Sequence, residues 1–151
     1  MKIAVAGGRD EADFLTGLLL KNKHRLIVIN DDRAYCEHLA AKYDKVSVIN
    51  GDPGREEILS DAGIKGVDVI IALSGKDADN LEICQLAKRL FFVKKTVCTV
   101  RNPRNVEIFK ELGVDQVISA AYILAEYIQQ PLMAENHQEE KLAPPGEKNE
   151  D

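Results

Sequence analysis

The residues in this chain best suited to chemistry on phosphates begin at position 7. Gly7-Gly8-Arg9-Asp10-Glu11 follows the apolar run Ile3-Ala4-Val5-Ala6 and precedes a helical pattern. Glycines between a strand and a helix let backbone approach a pyrophosphate, and the helix start offers it unpaired N–H groups and a partial positive charge. A full dinucleotide loop reads Gly-x-Gly-x-x-Gly: one glycine for the tight turn, one for close approach, one for helix packing. Without a gap those positions are Gly7, Arg9 and Ala12; one residue earlier they are Ala6, Gly8 and Glu11. The first register is better, since alanine suits the packing position and glutamate is bulky there. It keeps one glycine of three.

The charges beside the glycine pair pull in opposite directions. Arg9 can pair bidentately with phosphate oxygens. Asp10, placed to cap the helix with its own carboxylate, and Glu11 in the first turn compete for the same N–H groups and repel an anion. The stretch reads either as a phosphate loop or as a self-capped, solvated helix start. About twenty residues further on, at the end of the second strand, an acid for ribose hydroxyls is expected. The stretch there is Ile29-Asn30-Asp31-Asp32-Arg33. Asn30 holds the position and can bond a hydroxyl without carrying charge. Asp31 or Asp32 serves if the strand ends one residue later, and Asp32 is equally a cap for the next helix.

The elements that must position these residues alternate along the chain. Strands are predicted at 2–6, 25–29, 45–49, 67–73, 96–100 and 116–118. Helices are predicted at about 10–21, 32–42, 54–63, 77–91, 103–112 and 120–130. Leu26-Ile27-Val28-Ile29 and Val69-Ile70-Ile71-Ala72-Leu73 are continuous apolar runs, as strands covered on both faces require. Gly113 stops the fifth helix. Strand–helix alternation predicts an α/β fold: a Rossmann-like, doubly wound parallel sheet of six strands, order 3-2-1-4-5-6, with helices on both faces. The domain is expected over 1–131. From 132 to 151 the composition turns acidic and poor in apolar residues, with a Pro144-Pro145-Gly146 break, and predicts a disordered tail or linker.

The bulk numbers narrow the function classes. A chain of 151 residues has room for one domain with a proper core. Its formal charge of −5 argues against broad contact with nucleic acid or an anionic membrane. No apolar run approaches the roughly 20 residues that span a bilayer, and the four apolar residues before Gly7 are too few for a signal peptide. The expectation is a cytoplasmic protein. Cys36, Cys84 and Cys98 lie in apolar patterns at wide spacing and read as reduced, buried small hydrophobes. His24, His38 and His137 form no metal-ligand spacing.

Taken together, the pattern resembles the N-terminal nucleotide-binding domain (TrkA-N, or RCK-N) of Trk/Ktr-type potassium-transport regulators. The matching stretches are KIAVAGG, LIVINDDRAYCEHLAAKY, VINGDPGREEILSDAGIKGVDVIIALSGKDADNLEICQLAKRL, CTVRNP and IFKELGVDQVISAAYILAEYI. They cover about residues 1–130. The most specific elements are Asn50-Gly51-Asp52 followed by Leu59-x-x-Ala62-Gly63, Ala72-Leu73-Ser74 with Asp77 and Asn80, and Arg101 after the fifth strand.

The resemblance implies roles. Gly51 and Asp52 would lie against adenine. Ser74, with Gly75 beside it, would lie near ribose and phosphate. Arg101 would reach ligand phosphates or a partner subunit. Gly7, Gly8, Arg9, Asn30 and Asp31 complete the implied cofactor site. The ligand implied is an adenine nucleotide or dinucleotide: NAD or NADH, ATP or ADP, or AMP. The departures at Arg9, Ala12 and Asn30 bear on ligand identity and affinity, not on the fold. The implied function is regulatory and non-enzymatic: gating a membrane-embedded K⁺ transporter or channel subunit through ligand-dependent assembly, from the inner face of the membrane. A homodimer or larger ring is expected, with Ile123, Leu124 and Ile128 of the last helix in its interface. An NAD(P)-dependent oxidoreductase is the reading from another class, but it would need a substrate domain and acid–base groups such as a His or a Tyr-Lys pair after strands four or five. A scaffold of the same family without ligand is the third.

Overall fold

Alternate residues of each inner strand are buried on opposite faces, and this decides the architecture. In β1 (Lys2–Ala6), Ile3 and Val5 join one apolar cluster, whereas Ala4 and Ala6 join another. In β2 (Arg25–Asn30), Leu26 and Val28 divide from Ile27 and Ile29 in the same way. A sheet with an apolar layer on each face must be covered on both. The computed structural model describes residues 1–142, with side chains described as far as Met133. Residues 1–119 form one compact unit, and the chain from Ala120 onward forms another.

In the first unit six parallel strands are ordered β3-β2-β1-β4-β5-β6, the order predicted. The other strands are β3 (Val46–Asn50), β4 (Val69–Ala72), β5 (Lys95–Val100) and β6 (Gln116–Ser119). Helices α1 (Asp10–Lys21) and α2 (Arg33–Lys42) place Ala12 and Leu39 in one cluster. Helices α3 (Glu56–Asp61), α4 (Asp77–Leu90) and α5 (Asn105–Glu111) place Leu59, Ile83, Ala87 and Phe109 in the other. Helices therefore flank both faces. The strand order reverses between β1 and β4, parallel neighbours that pair with Ala6 opposite Ala72. Such a switch point opens a crevice at the carboxyl ends of the strands.

The second unit is the helix α6 (Ala120–Leu142), with Pro131 inside it. The sequence reading ends this helix near 130 and starts a tail at 132, so the helix runs longer than expected. Proline removes one backbone donor and disfavours helix, but Leu132, Met133 and Ala134 after it, and the glutamates and lysine that follow, are good helix formers. Residues 143–151 of the expected tail lie outside the described residues. Among those described, no helix is long and apolar enough to cross a membrane. Cys36, Cys84 and Cys98 are free thiols and buried.

Candidate functional site

The sheet's ladder continues past the strand ends and draws three loops together. The Gly7 N–H donates to the Ile29 carbonyl at 2.8 Å, Leu73 to Ala6 at 2.9 Å, and Gly51 to Asn30 at 2.9 Å. Gly7 and Gly8 take φ of +75° and +93°, a region that L side chains rarely adopt. Both are also hemmed in. A Cβ on Gly7 would stand 3.1 Å from the Ser74 nitrogen, and one on Gly8 would stand 2.8 Å from the Ala12 Cβ. Ala12 itself is fully buried. The loop therefore keeps the tight turn and the close helix packing, with Ala12 at the packing position as the register predicted.

The helix start differs from the expectation. Arg9, not Asp10, is the cap residue of α1, and its side chain makes no capping hydrogen bond. The Arg9 carbonyl accepts from Asp13 at 3.0 Å, so the helix begins one residue too early for Asp10 to cap it. Asp10 and Glu11 stay exposed in the first turn, where they favour the helix dipole.

Arg9 turns instead towards the end of β2. Its Nη1 donates to Asn30 Oδ1 at 2.8 Å and to the Gly8 carbonyl at 3.0 Å, and its Nη2 donates to Asp31 Oδ1 at 3.1 Å. Its Nε lies 3.7 Å from Asp32 Oδ2. Asn30 is fully buried. Its Nδ2 donates to the Gly8 carbonyl at 2.8 Å, and its Oδ1 also accepts the Asp32 N–H at 3.0 Å. The residue expected at the ribose position is thus a strut between the first two loops. Asp32 caps α2 by accepting from the Tyr35 N–H at 3.1 Å, the plainer of its two readings.

After β3, Gly51 faces Ile58 so closely that a Cβ would stand 2.7 Å from its Cδ1. Asp52 next to it accepts the Gly54 N–H at 2.8 Å and is exposed. After β4, the Ser74 hydroxyl sits 2.7 Å from Asn80 Oδ1, which also accepts the Ser74 N–H at 2.9 Å. Asn80 Nδ2 donates to the Ser74 and Thr99 carbonyls at 3.1 and 2.8 Å. Asn80 is fully buried and ties α4 to the ends of β4 and β5. A Cβ on Gly75 would stand 3.0 Å from Arg101 Nη2. Arg101 is exposed, and among the described residues its guanidinium makes no ion pair within salt-bridge distance.

Asp77 holds the loop that carries Arg101. Its carboxylate accepts the Arg101 N–H at 2.7 Å, the Asn102 N–H at 3.1 Å and Asn105 Nδ2 at 2.9 Å. Partial burial opposes ionisation, but these donors and the nearby Arg101 charge outweigh it and hold the carboxyl below the usual carboxylate range. The family resemblance includes Asp77 and Asn80 but implies no role for either. The signal was present: Asn80 lies on the stripe continued by Ile83, Cys84 and Ala87, all buried, and a polar residue there needs fixed partners.

The loops after β1, β2, β4 and β5 are thus linked by short contacts, and the loop after β3 is tied to the end of β2. Over residues 3–120 the sequence matches the family model of the TrkA-N domain. The chain belongs to the TrkA-N family. A Trk system potassium uptake protein TrkA homolog from Methanothermobacter thermautotrophicus is 31% identical over 129 residues, covering 85% of this chain and 59% of that protein. This TrkA-N chain therefore spans less than two thirds of that relative. Among solved structures, the GsuK channel bound to NAD superposes with a TM-score of 0.72 at 24% identity, over 83% of this chain and 22% of that one. The AMP-bound form of the Kef CTD from Shewanella denitrificans gives 0.75 at 19%, over 89% and 80%. At such identities these two likenesses establish the fold that the TrkA-N chain shares with them.

Proposed function

We propose that this TrkA-N domain is a regulatory nucleotide-binding module of a potassium-transport system. It binds an adenine nucleotide or dinucleotide at the carboxyl ends of its strands, and that binding biases the assembly that gates a membrane-embedded K⁺ transporter or channel. The observation that carries the reading is the convergence of Gly7-Gly8, Ser74-Gly75 and an exposed Arg101 guanidinium that makes no ion pair among the described residues. Left-handed glycine backbone and an exposed cation at one end of the sheet are the chemistry a phosphate group needs. The relative named for potassium uptake and the NAD- and AMP-bound structural neighbours support the same class of ligand and role. Gly51 and Asp52 take the adenine side of the crevice.

The module acts by binding and not by turnover. Regulation needs only a ligand that favours one arrangement over another. The test is a thermal-shift panel of ATP, ADP, AMP, NAD, NADH and cyclic dinucleotides, because a ligand of the native state raises the apparent Tm. Arg101→Ala should then weaken phosphate-bearing ligands and leave adenosine unaffected. No shift from any adenine ligand at millimolar concentration would favour a ligand-free scaffold.

A further inference from the structure

The Arg9 guanidinium stands where a ribose would have to bind. In a doubly wound sheet, the side chain at the end of β2 accepts the hydroxyls of the adenosine ribose. Here that position is Asn30, followed by Asp31. The Asn30 Oδ1 takes Arg9 Nη1 at 2.8 Å, and Asp31 Oδ1 takes Arg9 Nη2 at 3.1 Å. Two ribose hydroxyls would donate to those same oxygens. Asn30 is fully buried and its Oδ1 already accepts both Arg9 Nη1 and the Asp32 N–H, so a ribose hydroxyl reaches it only by displacing the guanidinium.

The arrangement is a clasp that can open. The Arg9 and Asp31 side chains are 54% and 66% exposed, and ion pairs so open to water are weak and screened by salt. Arg9 is also the cap residue of α1, so its Cα lies beside the free N–H groups of that helix start. A phosphate held by those N–H groups would lie beside the residue that carries the guanidinium. Phosphate, with its higher charge and bidentate fit, competes better for an arginine than one exposed carboxylate does.

We propose that Arg9 sets the ligand class of this site: it fills the ribose position, so that a nucleoside is refused and a nucleotide is admitted when its phosphate draws the guanidinium off Asn30 and Asp31. The inference rests on the nucleotide-binding reading above. It assigns the discrimination to a residue that replaces a glycine of the loop, and it makes Arg9 both the obstacle to ribose and the partner of phosphate.

Calorimetry of wild type, Arg9→Ala and Arg9→Gln against adenosine and AMP tests it, with circular dichroism as the check of folding. Arg9→Ala should bind adenosine at least about tenfold more tightly than wild type does, the scale of one strong charge-assisted hydrogen bond. The preference for AMP over adenosine should shrink by a similar factor. Arg9→Gln keeps a donor for Asn30 but no charge. It should lose the AMP preference too, and its preference decides the matter if Arg9→Ala does not fold. Arg101→Ala serves as the contrast, since it should not improve adenosine binding. Adenosine affinity unchanged or weakened in a folded Arg9→Ala, with AMP still bound by wild type, overturns the role of Arg9 and leaves the nucleotide reading standing. Absence of binding by AMP, ADP and NAD to wild type and to both Arg9 variants overturns the two together.

Discussion

The backbone N–H of Arg101 donates to the Asp77 carboxylate at 2.7 Å, so the loop after β5 is held by the first residue of α4. Asn102 and Asn105 donate to the same group. Three donors on one carboxylate thus fix the path of a loop whose arginine side chain is exposed.

That relationship makes stability depend on pH in a defined direction. The donors hold the Asp77 carboxyl below its usual value. The stabilisation is therefore full above the unfolded-state value of about 3.9 and is lost as pH falls through the lower folded value. Asp77→Asn should be less stable than wild type at neutral pH by about 1–2 kcal/mol, the lower part of the range for bonds to a charged group because this carboxylate is partly exposed. Urea denaturation at a series of pH values should show the gap between the two proteins narrowing in acid. A gap that stays constant would mean that the charge contributes nothing.

Asn80 should be harder to replace. It is fully buried and its side chain bonds the Ser74 N–H, the Ser74 hydroxyl and two carbonyls. In Asn80→Leu, the Thr99 carbonyl and the Ser74 N–H lose their partner in a place water reaches poorly. A loss of about 2–4 kcal/mol is expected from unpaired buried groups, read as a lower midpoint in urea. A change under about 1 kcal/mol would indicate that water replaces the amide.

Gly8 carries a separate prediction, independent of any ligand. Gly8→Ala places a methyl 2.8 Å from the Ala12 Cβ and 3.1 Å from the Leu73 Cβ, at a φ of +93°. Neither neighbour is the movable end of a long side chain. Overpacking of this kind costs about 1–3 kcal/mol. The double variant Gly8→Ala with Ala12→Gly should recover part of the loss if the contact with Ala12 is its source, and none of it if the backbone angle is.

The sheet was legible in the sequence because its inner strands β1 and β2 are buried on both faces. Leu26-Ile27-Val28-Ile29 cannot be a half-solvated strand, and six strand patterns alternating with helices leave one economical topology. Strand ends were legible to within a residue or two for a similar reason, since Gly7 and Gly51 break the runs at a point where the backbone must turn. The side-chain network was not legible. Nothing in the order Arg9, Asn30, Asp31, Asp32 says which carboxylate takes the arginine and which caps α2; the helix start at Arg33 decides that. The cap on α1 was misassigned to Asp10 because composition alone favours aspartate there, whereas the Gly7-Gly8 geometry starts the helix with Arg9 at its cap. The continuation of α6 past Pro131 is not legible because the acidic, apolar-poor composition after 132 points to a tail, whereas the helix formers on both sides of the proline carry the helix through.

The last prediction concerns assembly and rests on α6. Ile123 with Tyr127 and Leu124 with Ile128 are four residues apart and form adjacent rows on one side of the helix. In the single chain Leu124, Tyr127 and Ile128 are 62%, 68% and 60% exposed, and Leu132 one turn further is 58% exposed. A contiguous apolar stripe of this length is rare on a monomer in water and marks an interaction surface. The self-complementary solution is a twofold pairing in which each copy presents the same stripe. We expect a homodimer with Ile123, Leu124 and Ile128 in its interface. Light scattering should then give about twice the 16.7 kDa chain mass, and Leu124→Asp should give a folded monomer, because a carboxylate forced into that interface is stripped of water without a partner. A wild-type protein that stays monomeric at tens of micromolar would refute the pairing. A dimer that survives Leu124→Asp would move the interface off this stripe.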